Sequence, residues 1–415
     1  MNTPTKVLYI AGGRSVSGQD PGRKILSILD CWRRNVHFIS AVFGGDIRGG
    51  SAARGLNDFG SVSFHRQWYR RINLLNPLIH TLSEWRDIQH DAAMVRHLEL
   101  SLESSKPDLI WERSCRLHCA GLVMAQRLGV PYVLEWKDHL VDYRFSLFRG
   151  KALRMEQRKN QEADYIVVES SILRDQLECE GVDGGKIIVA HNAVDANEFT
   201  RDAQLRTQVR KDWGFDDETI LVGYLGSYAF YHDTARLVRA VQLIRTHDTT
   251  GKIKILMVGA GKEYAESREL AEKMHLLDDI LIMKPGVPKE VVPALLAALD
   301  IAVLPGSTDI ICPIKVQEYM ASALPSVIPD YPCNREVLRD GETGVLFKPK
   351  DEKALAEKIL LLAGNRNLRE DIGSRAREEA VHRFSWEATW GAALAHIITA
   401  TAANPGVKLG TSNPC

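Results

Sequence analysis

Short apolar runs alternate with amphipathic stretches along almost the whole chain. A run that is apolar at every position suits a strand covered on both faces, and parallel strands covered in this way need a long crossover between them, which a helix supplies. The alternation therefore predicts βαβ units building a parallel sheet with helices over it. In the first half the expected strands are Val7–Ala11, Val36–Ala41, Val62–His65, Leu109–Trp111, Tyr132–Glu135, Tyr165–Val168 and Ile187–Ala190. The longest helical pattern runs over roughly 77–104, with Pro77 where a helix can begin. A second set of strands follows at Ile220–Leu225, Ile253–Val258, Ile280–Met283, Ile301–Leu304, Ser326–Ile328 and Gly344–Phe347.

Length sets the number of cores. A chain of 415 residues exceeds one ordinary core, and about 200 residues per domain is the expectation. The polar stretch HNAVDANEFTRDAQLRTQVRKDWGFDDE separates the two sets of strands and supplies the join. The reading is an α/β protein of two Rossmann-like domains, over 1–195 and 196–384. A terminal helix over 385–402 is free to return to the first domain, and 403–415 has the composition of a frayed tail.

Charge and cysteines narrow the setting. Lysine plus arginine number 53 and aspartate plus glutamate also 53, so no overall field selects nucleic acid or an acidic polymer. Seven cysteines stand without a paired framework, which suits reduced thiols in a cytoplasmic compartment. The opening MNTPTKVLYIAGG has too short an apolar run for a secretion signal. No run reaches the roughly 20 apolar residues of a spanning helix, so the expectation is a cytoplasmic protein, at most peripheral at the inner face of a membrane.

The residues suited to chemistry concentrate at Ile301–Phe347. There a strand ends in Pro-Gly-Ser-Thr-Asp and is followed by a polar loop and a helix carrying Glu318. Strand carboxyl ends are where open α/β sheets bind ligands, the amino end of the helix can take a phosphate, and Glu318 can accept from a pair of sugar hydroxyls. Three glycine-bearing turns follow strands in the same way. They hold Gly12 and Gly13, then Gly223, Gly226 and Ser227, then Gly259 and Gly261, where the absence of a side chain lets the backbone approach a phosphate or sugar. Taken singly, each reads equally as an ordinary tight turn.

Together these segments resemble the retaining glycosyltransferases of family 4, also called group 1, of the GT-B fold. The likeness covers nearly all of Ile220–Ala402, through GYLGS, LMVGAGKEY, KVQEYMASALPSVIPD and NREVLRDGETGVLFKPKD, and more loosely the first half, through PDLIWERS, VPYVLEWKDH, ADYIVVESS and HNAVDANEF. It implies two Rossmann-like domains facing across a cleft, the second holding a nucleotide sugar and the first an acceptor. That acceptor is a carbohydrate, a lipid-linked glycan or a small molecule, in polysaccharide or glycoconjugate biosynthesis. No cofactor and no metal are implied.

The family's site residues carry over unevenly. Glu318 stands at the second of the family's two glutamates and Ile310 at the first, with Asp309 the nearest carboxylate. The arginine and lysine that many members bring to the diphosphate are replaced by Ser227 and His232, which leaves Lys315, beside Ile314 at the helix start, as the natural cation, with a protonated His232 as helper. The resemblance thus implies donor contacts from Gly13, Gly226, Ser227, His232, Gly259, Gly261, Ile314, Lys315 and Glu318, and a catalytic set of Asp138, His139, Lys315 and Asp309. Lys137 occupies the place of a family histidine. Glu336 stands at another acidic place of the family pattern.

Competing readings attach to several of these features. Lys315 also reads as a solvated lysine, His232 as a packing residue, and Asp138 and His139 as a surface carboxylate and a helix cap. Cys115 and Cys119, four apart, read as one apolar helix face rather than metal ligands, since no second pair follows. The stretch Arg66–Leu75 mixes arginines with aromatics and suits either a membrane-surface patch or a solvated loop, with no nucleic-acid motif beside it. The alternative activities are a nucleotide-sugar epimerase of GT-B shape and a weakly catalytic nucleotide-sugar-binding protein.

Overall fold

A computed structural model of the chain describes residues 5–12, 22–34, 38–43, 76–102, 106–138, 146–248 and 251–403. The expected strand at 62–65, the stretch Arg66–Leu75, Gly13 and His139 lie outside these residues. Twelve strands are present among the described residues, and they form two separate parallel sheets. The first contains β1 (Lys6–Ala11), β2 (Phe38–Phe43), β3 (Leu109–Arg113), β4 (Tyr132–Glu135), β5 (Tyr165–Val168) and β6 (Ile187–Val189), in the order β2-β1-β3-β4-β5-β6. The second contains β7 (Ile220–Leu225), β8 (Ile253–Gly259), β9 (Leu281–Pro285), β10 (Ile301–Val303), β11 (Ser326–Pro329) and β12 (Val345–Phe347), in the order β12-β11-β10-β7-β8-β9. This is the expected α/β class, and β2 runs on to Phe43, past the Ala41 expected as its end.

Burial explains the continuous apolar runs. Every residue of β3, β4, β10, β11 and β12 is buried, so none of these strands has a solvent face to code for with polar residues. The compact units divide the chain unevenly. One takes the described residues up to Glu169, then Leu173–Ala190, then those from Trp390 onward; the other takes Ser170–Ile172 and His191–Thr389. Beyond the short excursion at Ser170–Ile172, the chain passes between units after Ala190, ahead of the expected boundary at 195, and again at Trp390. In the first unit the indole Nε1 of Trp32 donates to the Trp390 carbonyl at 3.0 Å, and the two residues are buried there with Trp111. The stretch expected as one helix over 385–402 contains a π turn at Glu387–Gly391 followed by the helix Ala392–Ala403.

One local expectation is corrected. Cys115 and Cys119 do not lie on a helix. Leu117 between them has φ 59°, a left-handed conformation that a right-handed helix cannot pass through. The helix Ala120–Leu128 starts only after Cys119, and its first N–H groups are capped from a distance. The Asp91 carboxylate of the long helix Asn76–Leu102 accepts from the N–H of Cys119 at 3.2 Å and of Ala120 at 3.1 Å. No helix among the described residues is long and apolar enough to cross a membrane.

The second unit is fastened at its entry by a buried ion cluster. Asp300, immediately before β10, accepts from Arg206 Nη2 at 2.7 Å, from Arg210 Nη1 at 3.1 Å and from the N–H of Leu221 at 2.8 Å. Arg206 and Arg210 lie one turn apart on the helix Ala203–Asp212, so one carboxylate ties that helix to both central strands, β7 and β10. Arg210 is only 1% exposed, so removing its counter-ion strands a buried charge. Asp300→Ala is expected to lower stability by about 3 kcal/mol in urea titration, and a variant as stable as the wild type would contradict this role.

Candidate functional site

In an open parallel sheet a crevice forms outside the strand carboxyl ends where the strand order reverses. In the second sheet the chain goes outward from β7 through β8 to β9, then returns to place β10 on the other side of β7. The crevice therefore lies above the ends of β7 and β10. The turn after β7 is fastened to the end of β8, since Gly226 N–H donates to Val258 at 3.0 Å and Tyr228 N–H to Ala260 at 2.9 Å. This closeness dictates glycine. A Cβ on Gly226 would meet the flexible end of Lys315, with Nζ at 2.5 Å, whereas one on Gly259 would overlap the Gly226 carbonyl oxygen. Gly261 is equally confined, with the Tyr228 carbonyl oxygen 2.5 Å from where its Cβ would be.

The loop after β10 is held from several directions. Ser170 Oγ donates to the Ile310 carbonyl at 2.6 Å, Asn192 Nδ2 to the Cys312 carbonyl at 3.0 Å, and Asn334 Nδ2 to Ser307 Oγ at 3.2 Å. Asp309 is exposed on this loop and Ile310 is half-buried. The helix Ile314–Ala321 follows. Its N-cap is Pro313, whose side chain offers no acceptor to the first turn. Lys315 and Glu318, both half-buried, lie three apart and so share one face of that helix.

Lys315 places a cation at the crevice. Its Nζ is 2.9 Å from His232 Nε2 and 5.4 Å from the centre of the Tyr224 ring, whose hydroxyl donates to the Ser227 carbonyl at 2.6 Å. The other imidazole nitrogen, Nδ1, is 3.2 Å from the Gly306 carbonyl oxygen. A carbonyl only accepts and an ammonium only donates, so these partners fix the tautomer, with hydrogen on Nδ1 and a lone pair on Nε2. Burial and the Lys315 charge push the imidazole down to about 3, the Gly306 contact opposing them. The expectation of a protonated His232 assisting as a second cation is thereby corrected. A positive imidazole would have to point a proton at an ammonium.

The remaining expected residues are dispersed. Asp138 is exposed just beyond β4, in the first unit, and Lys137 beside it is 3.3 Å from Glu169. Glu336 accepts from Ser171, from its N–H at 3.0 Å and its Oγ at 2.6 Å, and stands 3.6 Å from His191 Nδ1. The first sheet carries a charged edge that sequence reasoning missed. Arg113, ending β3, pairs with Glu135, ending β4, and Glu135 also accepts from Tyr9 Oη at 2.8 Å. Lys24 reaches Glu169, just past β5, at 2.7 Å. Burial raises the Glu169 carboxyl, but Lys137, Lys24 and Arg113 outweigh it and hold the group well below the usual range; burial lowers Lys24 to about 8. The sequence signal was present in WERS, LEW and VES, where a charge closes an apolar run.

Comparisons with known proteins agree with this architecture. The family profile described as glycosyl transferases group 1 matches residues 206–379, and the one described as glycosyl transferase 4-like domain matches residues 21–193. The chain belongs to the group 1 glycosyltransferases. This group 1 chain is 25% identical over 189 residues to the N-acetyl-alpha-D-glucosaminyl L-malate synthase of Bacillus anthracis, covering 46% of the chain and 47% of that protein. It is 25% identical over 299 residues to a sulfoquinovosyl transferase of Arabidopsis thaliana, covering 68% and 55%. The chain thus spans about half the length of the curated relatives it matches. Among solved structures, Anabaena HepE in complex with UDP aligns with a TM-score of 0.70 at 15% identity, over 95% of this chain and 100% of that one. The fold is GT-B.

His232 makes a prediction about acid stability. Its ordinary value is 6.5 and its folded value about 3, so between them the unfolded chain binds a proton that the folded chain does not. Its contribution is fully present above about pH 6.5 and is lost as the pH falls towards 3. Between pH 7 and 4.5 the wild type is expected to lose about 2 kcal/mol more than His232→Gln in urea titrations. Equal losses would contradict the buried, neutral imidazole.

Proposed function

We propose that the chain transfers a sugar from a nucleoside diphosphate sugar, linked to uridine or guanosine, to an acceptor hydroxyl with retention at the anomeric carbon, in polysaccharide or glycoconjugate biosynthesis. The observation that carries this reading is the helix Ile314–Ala321. Its amino end opens beside the switch point, and one face presents Lys315 and, a turn later, Glu318. A cation and a carboxylate at that spacing suit the two ends of a ribose diphosphate. Lys315 and the N–H groups of Ile314 and Lys315 take the phosphates, while Glu318 accepts from the ribose hydroxyls. Anabaena HepE, which shares this fold, is solved in complex with UDP, and this supports a nucleotide as ligand.

Charge accumulates on the diphosphate as the glycosidic bond breaks, so groups fixed in advance around it lower the barrier. Lys315 supplies the full charge. The turn amides of Gly226, Ser227, Gly259 and Gly261 supply partial ones, and the reaction uses no metal in this reading. The leaving phosphate takes the acceptor's proton on the face it departs from, which retains the configuration. Asp309, exposed on the loop above the sheet, is assigned to the transferred sugar, and Asp138 in the first unit to the acceptor.

Calorimetric titration with UDP and GDP tests the donor, and Glu318→Ala tests the assignment. Each hydrogen bond between a charged group and a ligand is worth about 1.5–3 kcal/mol, so losing a carboxylate shared by two hydroxyls is expected to reduce sugar transfer about 100-fold or more. Transfer by Glu318→Ala at the wild-type rate would sink the proposal, and turnover of the donor without any acceptor would favour an epimerase.

A further inference from the structure

His232 stands apart from the groups assigned to the donor, because it is neutral and its two nitrogens are both occupied by the protein. The geometry points to His232 as a positioning residue, an uncharged clamp that holds the Lys315 ammonium against the glycine turn where the donor's diphosphate binds; this rests on the donor reading above. Three placements support it. His232 follows β7, Gly306 follows β10 and Lys315 opens the next helix, so the chain Lys315 Nζ, His232 Nε2, His232 Nδ1, Gly306 O joins both sides of the switch point. The approach is close enough to require glycine at 306, since a Cβ there would stand 2.8 Å from the Tyr231 carbonyl oxygen and 3.0 Å from the His232 carbonyl carbon. The direction of each bond is fixed, as the carbonyl orients the ring and the ring's lone pair orients the ammonium.

A lysine side chain is long and rotamer-rich, and holding it in one place otherwise costs conformational entropy on binding. An anchor of opposite charge would hold it too, but would cancel the charge that the diphosphate needs. His232 is a neutral acceptor, so it holds the ammonium without itself adding a negative charge beside it. Its low proton affinity keeps the clamp neutral through the physiological range.

A double-mutant cycle tests this. Affinities for UDP, or for GDP if that is the nucleotide bound, and for the corresponding nucleoside would be measured for the wild type, His232→Leu, Lys315→Met and the double variant. His232→Leu is expected to weaken the diphosphate about tenfold while leaving the nucleoside within about twofold, and to change nothing further once Lys315 is gone. Equal losses for nucleoside and diphosphate, or the same loss with and without Lys315, would overturn the clamp and leave the donor reading standing. A wild type that binds neither nucleotide would overturn the donor reading itself. His232→Gln and His232→Asn keep the test open if the leucine variant does not fold. The glutamine oxygen reaches the Nε2 position and is expected to restore affinity to within about threefold, whereas asparagine falls short; asparagine binding better than glutamine would overturn the clamp.

Discussion

The contact between the Lys315 ammonium and the neutral His232 ring is the interaction on which the second unit's site depends. It spans the reversal in strand order, where β7 and β10 diverge outside their carboxyl ends and leave backbone groups facing a crevice. His232 and Tyr224 approach Lys315 without cancelling its charge. Neither contact adds a negative charge beside the ammonium, and groups fixed in advance in this way are what electrostatic stabilisation of developing charge without reorganisation requires.

The backbone around this contact is arranged to let charge come close. Gly226 and Gly259 touch through their main chains, and the glycine at 226 clears the space that Lys315 Nζ occupies. The loop between β10 and the Lys315 helix carries little regular structure, yet its carbonyls are bound by Ser170 and Asn192, residues that follow β5 and β6. Positions that sequence order assigns to the first half of the chain thus stabilise the loop that belongs to the second sheet. A loop held in this way presents its helix start in one orientation.

Most of the architecture was legible because strands buried on both faces are written as unbroken apolar runs, and β7, β8 and β10 were placed within a residue or two. Lys315 and Glu318 were legible because a helix follows a strand at a predictable edge. His232 was located but its charge was misread, since the imidazole's state depends on Gly306, 74 residues away in sequence, and on burial that no local pattern encodes. The cysteine pair at 115 and 119 was read as helical because spacing alone carries no information about the left-handed Leu117 or the remote cap from Asp91. The ion pairs of Arg113 with Glu135 and of Lys24 with Glu169 went unseen for a related reason. Their members come from separate elements: the parallel register brings the ends of β3 and β4 together, and Lys24 reaches Glu169 from the helix Gly22–Arg34.

The most direct test of the central claim is a crystal structure of the chain with UDP or GDP bound. The account predicts the terminal phosphate within about 3 Å of Lys315 Nζ, the ribose hydroxyls on Glu318 and the His232 ring still bound to Gly306. A nucleotide bound with its phosphates away from Lys315, or with His232 turned to contact them as a cation, would contradict it.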